Sequence, residues 1–324
     1  MVHWLPEPVR RDSLPESTMP ELKSLSTLAD DRSDALFAML RARPFTVREP
    51  AFRTAPFVFA SPHSGRLYPS SFIGRSRLNP LNLRRSEDAF VDELFATAVD
   101  AGAPLIAARF PRAFLDVNRA PAEIDVAMFD GPLDVAVDAV SPRVSAGLGV
   151  IPRIVRDGAE IYRAKLSVWE AEDRLAMFYR PYHAALDGLI DDTVKKFGAA
   201  VLIDCHSMPS AAAAPDIILG DRYGLSAAPL IMRAAERAFE AQGFSVARNA
   251  PYAGGFTTQL HGRPVRGEHA LQIEVNRGLY LDEERIERAA RFDEVAVRIG
   301  TALHELVKIG CLLERPAGIA HAAE

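Results

Sequence analysis

Cysteine is almost missing from this 324-residue chain, in which Cys205 and Cys311 are the only two. Two thiols cannot build a disulfide framework, so the fold has to rest on a packed core. Long apolar runs are missing as well. The opening stretch MVHWLPEPVRRDSLPEST is broken by proline and charge, which excludes the apolar core of a signal peptide and leads us to expect a cytoplasmic protein. There is no cationic surplus either: 38 Lys and Arg stand against 43 Asp and Glu, a net charge of −5, spread along the chain. Nucleic acid and membrane are therefore not expected partners. Glycine never takes a phosphate-cradling spacing, since GLG at 147–149 lacks the strand before it and the helix after it. Internal repeats and low-complexity tracts are absent too.

What remains is ordinary globular composition, 48% hydrophobic and 25% charged, enough to bury a sizeable core. Residues 1–22 are rich in proline and charge and read as an arm; LADDRSDALFAMLRA, residues 28–42, has helical spacing and is opened by Asp30 or Asp31. We expect residues 1–50 to form an N-terminal arm and peripheral helix, and residues 51–324 a single domain. From residue 56, the runs FVFA, PLIAARF, AVLIDC, DIILG, FSVAR and ALQIEVN read as strands. SEDAFVDELFATAVDAG, the stretch Glu160–Lys196, SAAPLIMRAAERAFEAQG and DEERIERAARFDEVAVRIGTALHELVKIG read as helices. Such alternation predicts an α/β fold, a three-layer α/β/α domain around a mostly parallel mixed sheet. Residues 120–158 follow neither period and read as binding loops.

In that fold, ligands gather beyond the carboxyl ends of strands. Two histidines stand there in similar contexts, His63 in SPHSG after FVFA and His206 in DCHSMPS after AVLI. Glu87 or Asp88 of SEDAF, at a helix start, supplies a carboxylate for the same crevice. Two imidazoles, one carboxylate and an open position suit a catalytic zinc ion, whereas singly each residue also fits a loop hydrogen bond or a helix cap. Glu274 lies inside the apolar run ALQIEVN, where an unpaired carboxylate is costly to bury; it is either a general base beside a metal or the partner of Arg277. Arg119 and Arg153 lie in segments expected to border the crevice and suit a substrate carboxylate, or else structural ion pairs. The loop APYAGGFTTQLHG brings Gly254, Gly255 and His261, and a kink at Pro181 is expected to aim His183 inward.

Together SPHSGRLYP, SEDAFVDELF, DVNRAP, GVIPR, RPYHAAL, DCHSMPS, YAGGFTTQLHG and QIEVNRGLY, from about residue 56 to about 285, resemble the N-formylglutamate amidohydrolases. That family is similar in fold to zinc carboxypeptidases and to the zinc amidases of peptidoglycan, a phosphorylase/hydrolase-like architecture. The resemblance implies one zinc ion per chain held by His63, His206 and Asp88, with Glu87 as the alternative to Asp88. It implies Glu274 as the catalytic glutamate, Arg119 with Asn118 at the substrate carboxylate, and His183 or Arg119 as an oxyanion donor. The implied reaction releases formate and L-glutamate from N-formyl-L-glutamate, the last step of one histidine-degradation route. Two other readings stand beside it: a zinc amidase for another N-acyl amino acid, and a non-catalytic protein that binds an acidic metabolite in the same crevice.

Overall fold

Strands form where β-branched and aromatic residues run together, and three such runs make the middle of the sheet: Phe57–Ser61 (β2), Ala200–Met208 (β4) and Glu268–Asn276 (β7). Almost every residue in them is buried, as befits a sheet covered on both faces. The computed structural model describes residues 34–313 apart from 139, 156, 157 and 212. With Phe45–Arg48 (β1), Leu105–Ala108 (β3), Ile217–Gly220 (β5) and Val246–Arg248 (β6), the sheet has seven strands in the order β1-β3-β2-β4-β7-β5-β6. Four neighbouring pairs are parallel, while β1 against β3 and β5 against β7 are antiparallel. The mixed, mostly parallel sheet with helices on both faces is the architecture predicted from the sequence.

Alternation along the strands separates two cores. Phe57, Phe59, Ile203, Cys205, Leu271, Ile273 and Val275 enter one core with Pro229–Glu240 and Phe292–Val307. Val58, Ala60, Ala200, Leu202 and Ala270 enter the other, with Ala35–Ala42 (α1) and Arg180–Phe197 (α2). Asp34 caps α1, accepting from Leu36 N–H and Phe37 N–H; the expected start at Asp30 or Asp31 lies outside the described residues, as does the arm of residues 1–22. At the other end of α2, Gly198 takes the left-handed conformation, φ 79°, that closes the helix.

Three of the expected helices are shorter than their periodicity suggested. Residues 160–168 are irregular, and the segment becomes helical only at Trp169, passing through a π-turn at Leu175–Tyr179 into α2. Its early apolar residues Ile161 and Leu166 are buried in the second core from irregular backbone. Residues 281–288 form a small hairpin before the helix that starts at Phe292. After Ser86 the chain makes only one α-turn, Val91–Leu94, and a 3₁₀ turn, Ala96–Ala98, because Phe90 adopts a left-handed φ of 62° and interrupts the helix. The edge strand β1, four residues long and mostly exposed, carries no alternating signal.

The described residues of 109–168 are almost free of regular structure, yet many of them are packed rather than loose. Ile124, Phe129, Val150, Ile151 and Val155 enter the second core. Buried Arg174 pins the segment by donating to Phe114 O and Tyr162 Oη at 2.9 and 2.7 Å.

Candidate metal centre

β2, β4 and β7 are parallel, so their carboxyl ends open on the same side, and the register sets His206 beside Glu274 and Asp204 beside Gln272. These four residues occupy the sheet face whose lower half is filled by Ala200, Leu202 and Ala270. His63 follows β2 on a turn that packs against the backbone just after β3, where a Cβ on Gly65 would lie 2.0 Å from Phe110 O, so only glycine fits. The backbone then carries the acidic pair to the same place, with Asp88 N–H donating to His63 O at 3.0 Å. The pair lies in a turn before the short helix rather than at its start.

Asp88 Oδ2 sits 3.2 Å from His63 Nδ1 and 2.9 Å from His206 Nδ1. The three residues present donor atoms that all lie within 4.8 Å of one another, and all three are buried. Glu87 turns away, into a bidentate contact with Arg84 at 3.0 and 3.2 Å. Each histidine is backed by a further carboxylate: His63 Nε2 faces Asp116 Oδ1 at 2.7 Å, and His206 Nε2 faces Asp204 Oδ2 at 3.0 Å. A carboxylate on one ring nitrogen draws the proton there and leaves the other nitrogen's lone pair for a cation, the arrangement that orients histidines in metal sites. The donor set, two imidazoles and a carboxylate oxygen, therefore fits a divalent ion of the zinc type.

Without a cation between them, the three residues hold one another by charge. Burial alone would raise the Asp88 carboxyl, but hydrogen bonds from His206 and His63 hold it well below the ordinary range. His206 is held up against burial, chiefly by Asp204. Glu274, pushed up to about 7 foremost by burial and further by the charge of Asp88, is poised near neutrality.

The centre opens into a cavity of about 480 Å³ whose wall includes Arg85, Arg112, Arg119, Arg143 and Arg277. Asn118, Gly254 and Gly255 also line it. Arg119 spends two of its nitrogens on the framework, donating to Leu148 O at 2.9 Å and Asn118 O at 2.8 Å. Arg153 does not line the cavity; it pairs with Asp125 at 3.0 Å and Glu160 at 3.6 Å. His183 and His261 are buried behind the wall, His183 bonding Val117 O at 2.9 Å and His261 facing Asp187 at 3.6 Å. Arg277 pairs with Asp88 at 2.9 Å and not with Glu274, whose side-chain partner is Gln272.

Sequence reasoning passed over Asp116, Asp204, Arg112 and Gln272. For Asp204 and Gln272 the signal was there, a polar residue inside an apolar strand, as for Glu274. Arg112, tied to Asp116 through Nε at 3.0 Å, had none, because its reach depends on the irregular path of its loop.

The family model of N-formylglutamate amidohydrolase matches residues 55–281. The chain is 28% identical over 240 residues to an N-formylglutamate deformylase of Pseudomonas putida, covering 70% of this chain and 82% of that one. A deformylase of the same description from Pseudomonas aeruginosa is 29% identical over 71% of this chain and 83% of its own length. The crystal structure of N-formylglutamate amidohydrolase from Ralstonia eutropha JMP134 superposes with a TM-score of 0.78 at 34% identity, covering 83% of this chain and 99% of the other.

Proposed function

The chain belongs to the N-formylglutamate amidohydrolase family, and we propose that it hydrolyses the amide bond of N-formyl-L-glutamate, giving formate and L-glutamate, within histidine degradation. The cofactor of this reading is one zinc ion per chain, held by His63, Asp88 and His206. The observation that carries it is a single juxtaposition: Glu274 stands beside His206 in the sheet register, above the three converging donors and inside an arginine-lined cavity.

When bound, zinc supplies a Lewis acid that polarises a carbonyl oxygen and acidifies water. The residues of the chain do the rest. Asp116 and Asp204 keep the two imidazoles aimed, and Arg277 holds Asp88 Oδ1 so that Oδ2 faces the histidines. Glu274, with a pKa near neutrality, takes a proton from water as the water oxygen attacks the formyl carbon. It returns that proton to the amide nitrogen as the carbon–nitrogen bond breaks, so no net proton is lost. Arg112, fixed by Asp116 through Nε, sits on the wall as a donor for the negative oxygen formed during attack. The arginine-rich wall suits a substrate with two carboxylates, and Arg119 with Asn118 forms one end of it.

Formate release measured across N-formyl and N-acetyl amino acids tests the reading. N-formyl-L-glutamate is expected to be the best substrate. Preference for an apolar N-formyl amino acid would defeat the glutamate assignment, and preference for N-acetyl substrates would make the enzyme a different deacylase.

A further inference from the structure

The cavity wall at Gly254 and Gly255, with Thr257 behind it, hangs on two buried amide side chains. Gly255 N–H donates to Gln272 Oε1 at 2.8 Å, and Gln272 Nε2 donates in turn to Glu274 Oε1 at 2.9 Å. Thr257 N–H donates to Asn118 Oδ1 at 2.8 Å, and Asn118 Nδ2 donates to Asp204 Oδ2 at 3.2 Å, the carboxylate behind His206. Only glycine fits at 255, where a Cβ would lie 2.6 Å from the Asn118 amide.

Gln272 is 5% exposed and points to the same face of β7 as Glu274, two residues on. Its orientation is not arbitrary. A backbone N–H can only donate, so Oε1 must face Gly255, and the amide protons must then face Glu274. Beside it in the register stand Asp204 on β4 and Gly220 on β5, so the amide is the group that joins Glu274 to the wall; leucine or methionine would fill the volume but leave Gly255 N–H without its acceptor.

We propose that Gln272 is a positioning residue for Glu274: it engages Oε1, leaves Oε2 as the oxygen presented to the reacting water, and locks that geometry to the cavity wall at Gly255. The inference rests on Glu274 being the general base. Substrate seated against Gly254 and Gly255 then bears on the backbone that holds the base in line. Glutamine is suited to this because one side chain both accepts from the wall and donates to the base.

The test uses the zinc-loaded full chain. Gln272→Met keeps the volume and removes both bonds; kcat is expected to fall about 10- to 100-fold with KM within about threefold and zinc content unchanged. Gln272→Glu keeps the acceptor for Gly255 but turns a second carboxylate on Glu274, and its kcat is expected to fall further. The decisive comparison is Gln272→Met combined with Glu274→Gln, expected to be no slower than Glu274→Gln alone. If the two losses multiply instead, Gln272 acts on something other than the base, and a parental kcat in Gln272→Met overturns the proposal outright. Crystal structures of the parent and of Gln272→Met give a reading that needs no turnover. The Glu274 carboxylate is expected to leave its place in the variant, and finding it unmoved overturns the proposal. Should the methionine variant not fold, Gln272→Asn, one methylene too short to span both partners, serves both measurements. Absence of hydrolysis by the parent on every N-acyl substrate would refute the proposed function, while the structural comparison would still decide what Gln272 holds.

Discussion

On β4 and β7, consecutive residues face opposite environments. Ile203, Cys205, Ile273 and Val275 are fully buried in an apolar core, whereas Asp204, His206, Gln272 and Glu274, their immediate neighbours, form a polar floor whose groups bond one another or face the cavity. A period of two places both sets without any change of backbone. The difference teaches where each kind of robustness lies. The apolar face is held by area and shape and tolerates loss of any one contact at a stability cost. The polar face is held by paired bonds, so removing one partner strands the other.

The largest effect is expected at the converging donors. His206→Ala and His63→Ala each remove one of three donors, and both bound zinc and hydrolysis are expected to be lost while the chain remains folded. Metal content after gel filtration and a melting curve check this together. Asp88→Ala should match them, whereas Glu87→Ala, which breaks a contact with Arg84, should keep its zinc. Full zinc in Asp88→Ala with loss in Glu87→Ala would exchange the two roles.

Next in size is Glu274→Gln, which preserves shape and removes the proton acceptor. General base catalysis commonly contributes about 10²–10⁴-fold, and a loss of that order in kcat is expected, with zinc and melting temperature near parental. Because Arg277 pairs with Asp88 rather than with Glu274, this substitution strands no guanidinium. A near-parental kcat would remove Glu274 from the mechanism.

Much of this was legible in the sequence, for reasons that also explain what was not. Strand-end histidines and a glutamate inside an apolar run are visible because burial makes polar residues conspicuous against their neighbours. The choice of Asp88 over Glu87 needed the turn at Phe90, whose left-handed backbone no apolar period reveals. The helix expected from Glu160 begins only at Trp169, because residues 161 and 166 are apolar for tertiary packing from irregular backbone and not as one face of a helix. For Arg153 the sequence leaves two readings, a substrate anchor or an ion pair; its segment does border the cavity through Pro152 and Ile154, but the guanidinium itself turns to Asp125. Side chains carried by irregular backbone cannot be aimed from spacing alone.

On the apolar face the comparison predicts the opposite pattern. Ile273 is fully buried one residue before Glu274, and Ile273→Ala is expected to cost about 2–5 kcal/mol of stability through the lost contacts and the cavity left behind. Measured below its melting transition, the variant should bind zinc and turn over at close to the parental rate. A kcat loss comparable to that of Glu274→Gln would mean that the two faces are not independent.

The smallest effect concerns pH, and it belongs to the polar side alone. His183 and His261, buried behind the cavity wall, are each lowered by burial from 6.5 to about 4, and the proximity of His183 lowers His261 further. Their folded-state values lie below the unfolded value, so between pH 6.5 and 4 the unfolded chain binds more protons. Stability from these two groups is therefore fully present above pH 6.5 and is lost as pH falls toward 4, where the folded protein protonates as well. Each group contributes on the order of 3 kcal/mol across that window. Melting temperature followed from pH 7 to pH 4 should fall less steeply in His261→Gln than in the parent, whatever the offset between them at pH 7. Parallel curves would show that His261 reaches solvent readily enough to take its proton in the folded state, and that the wall behind the cavity is wetter than its burial implies.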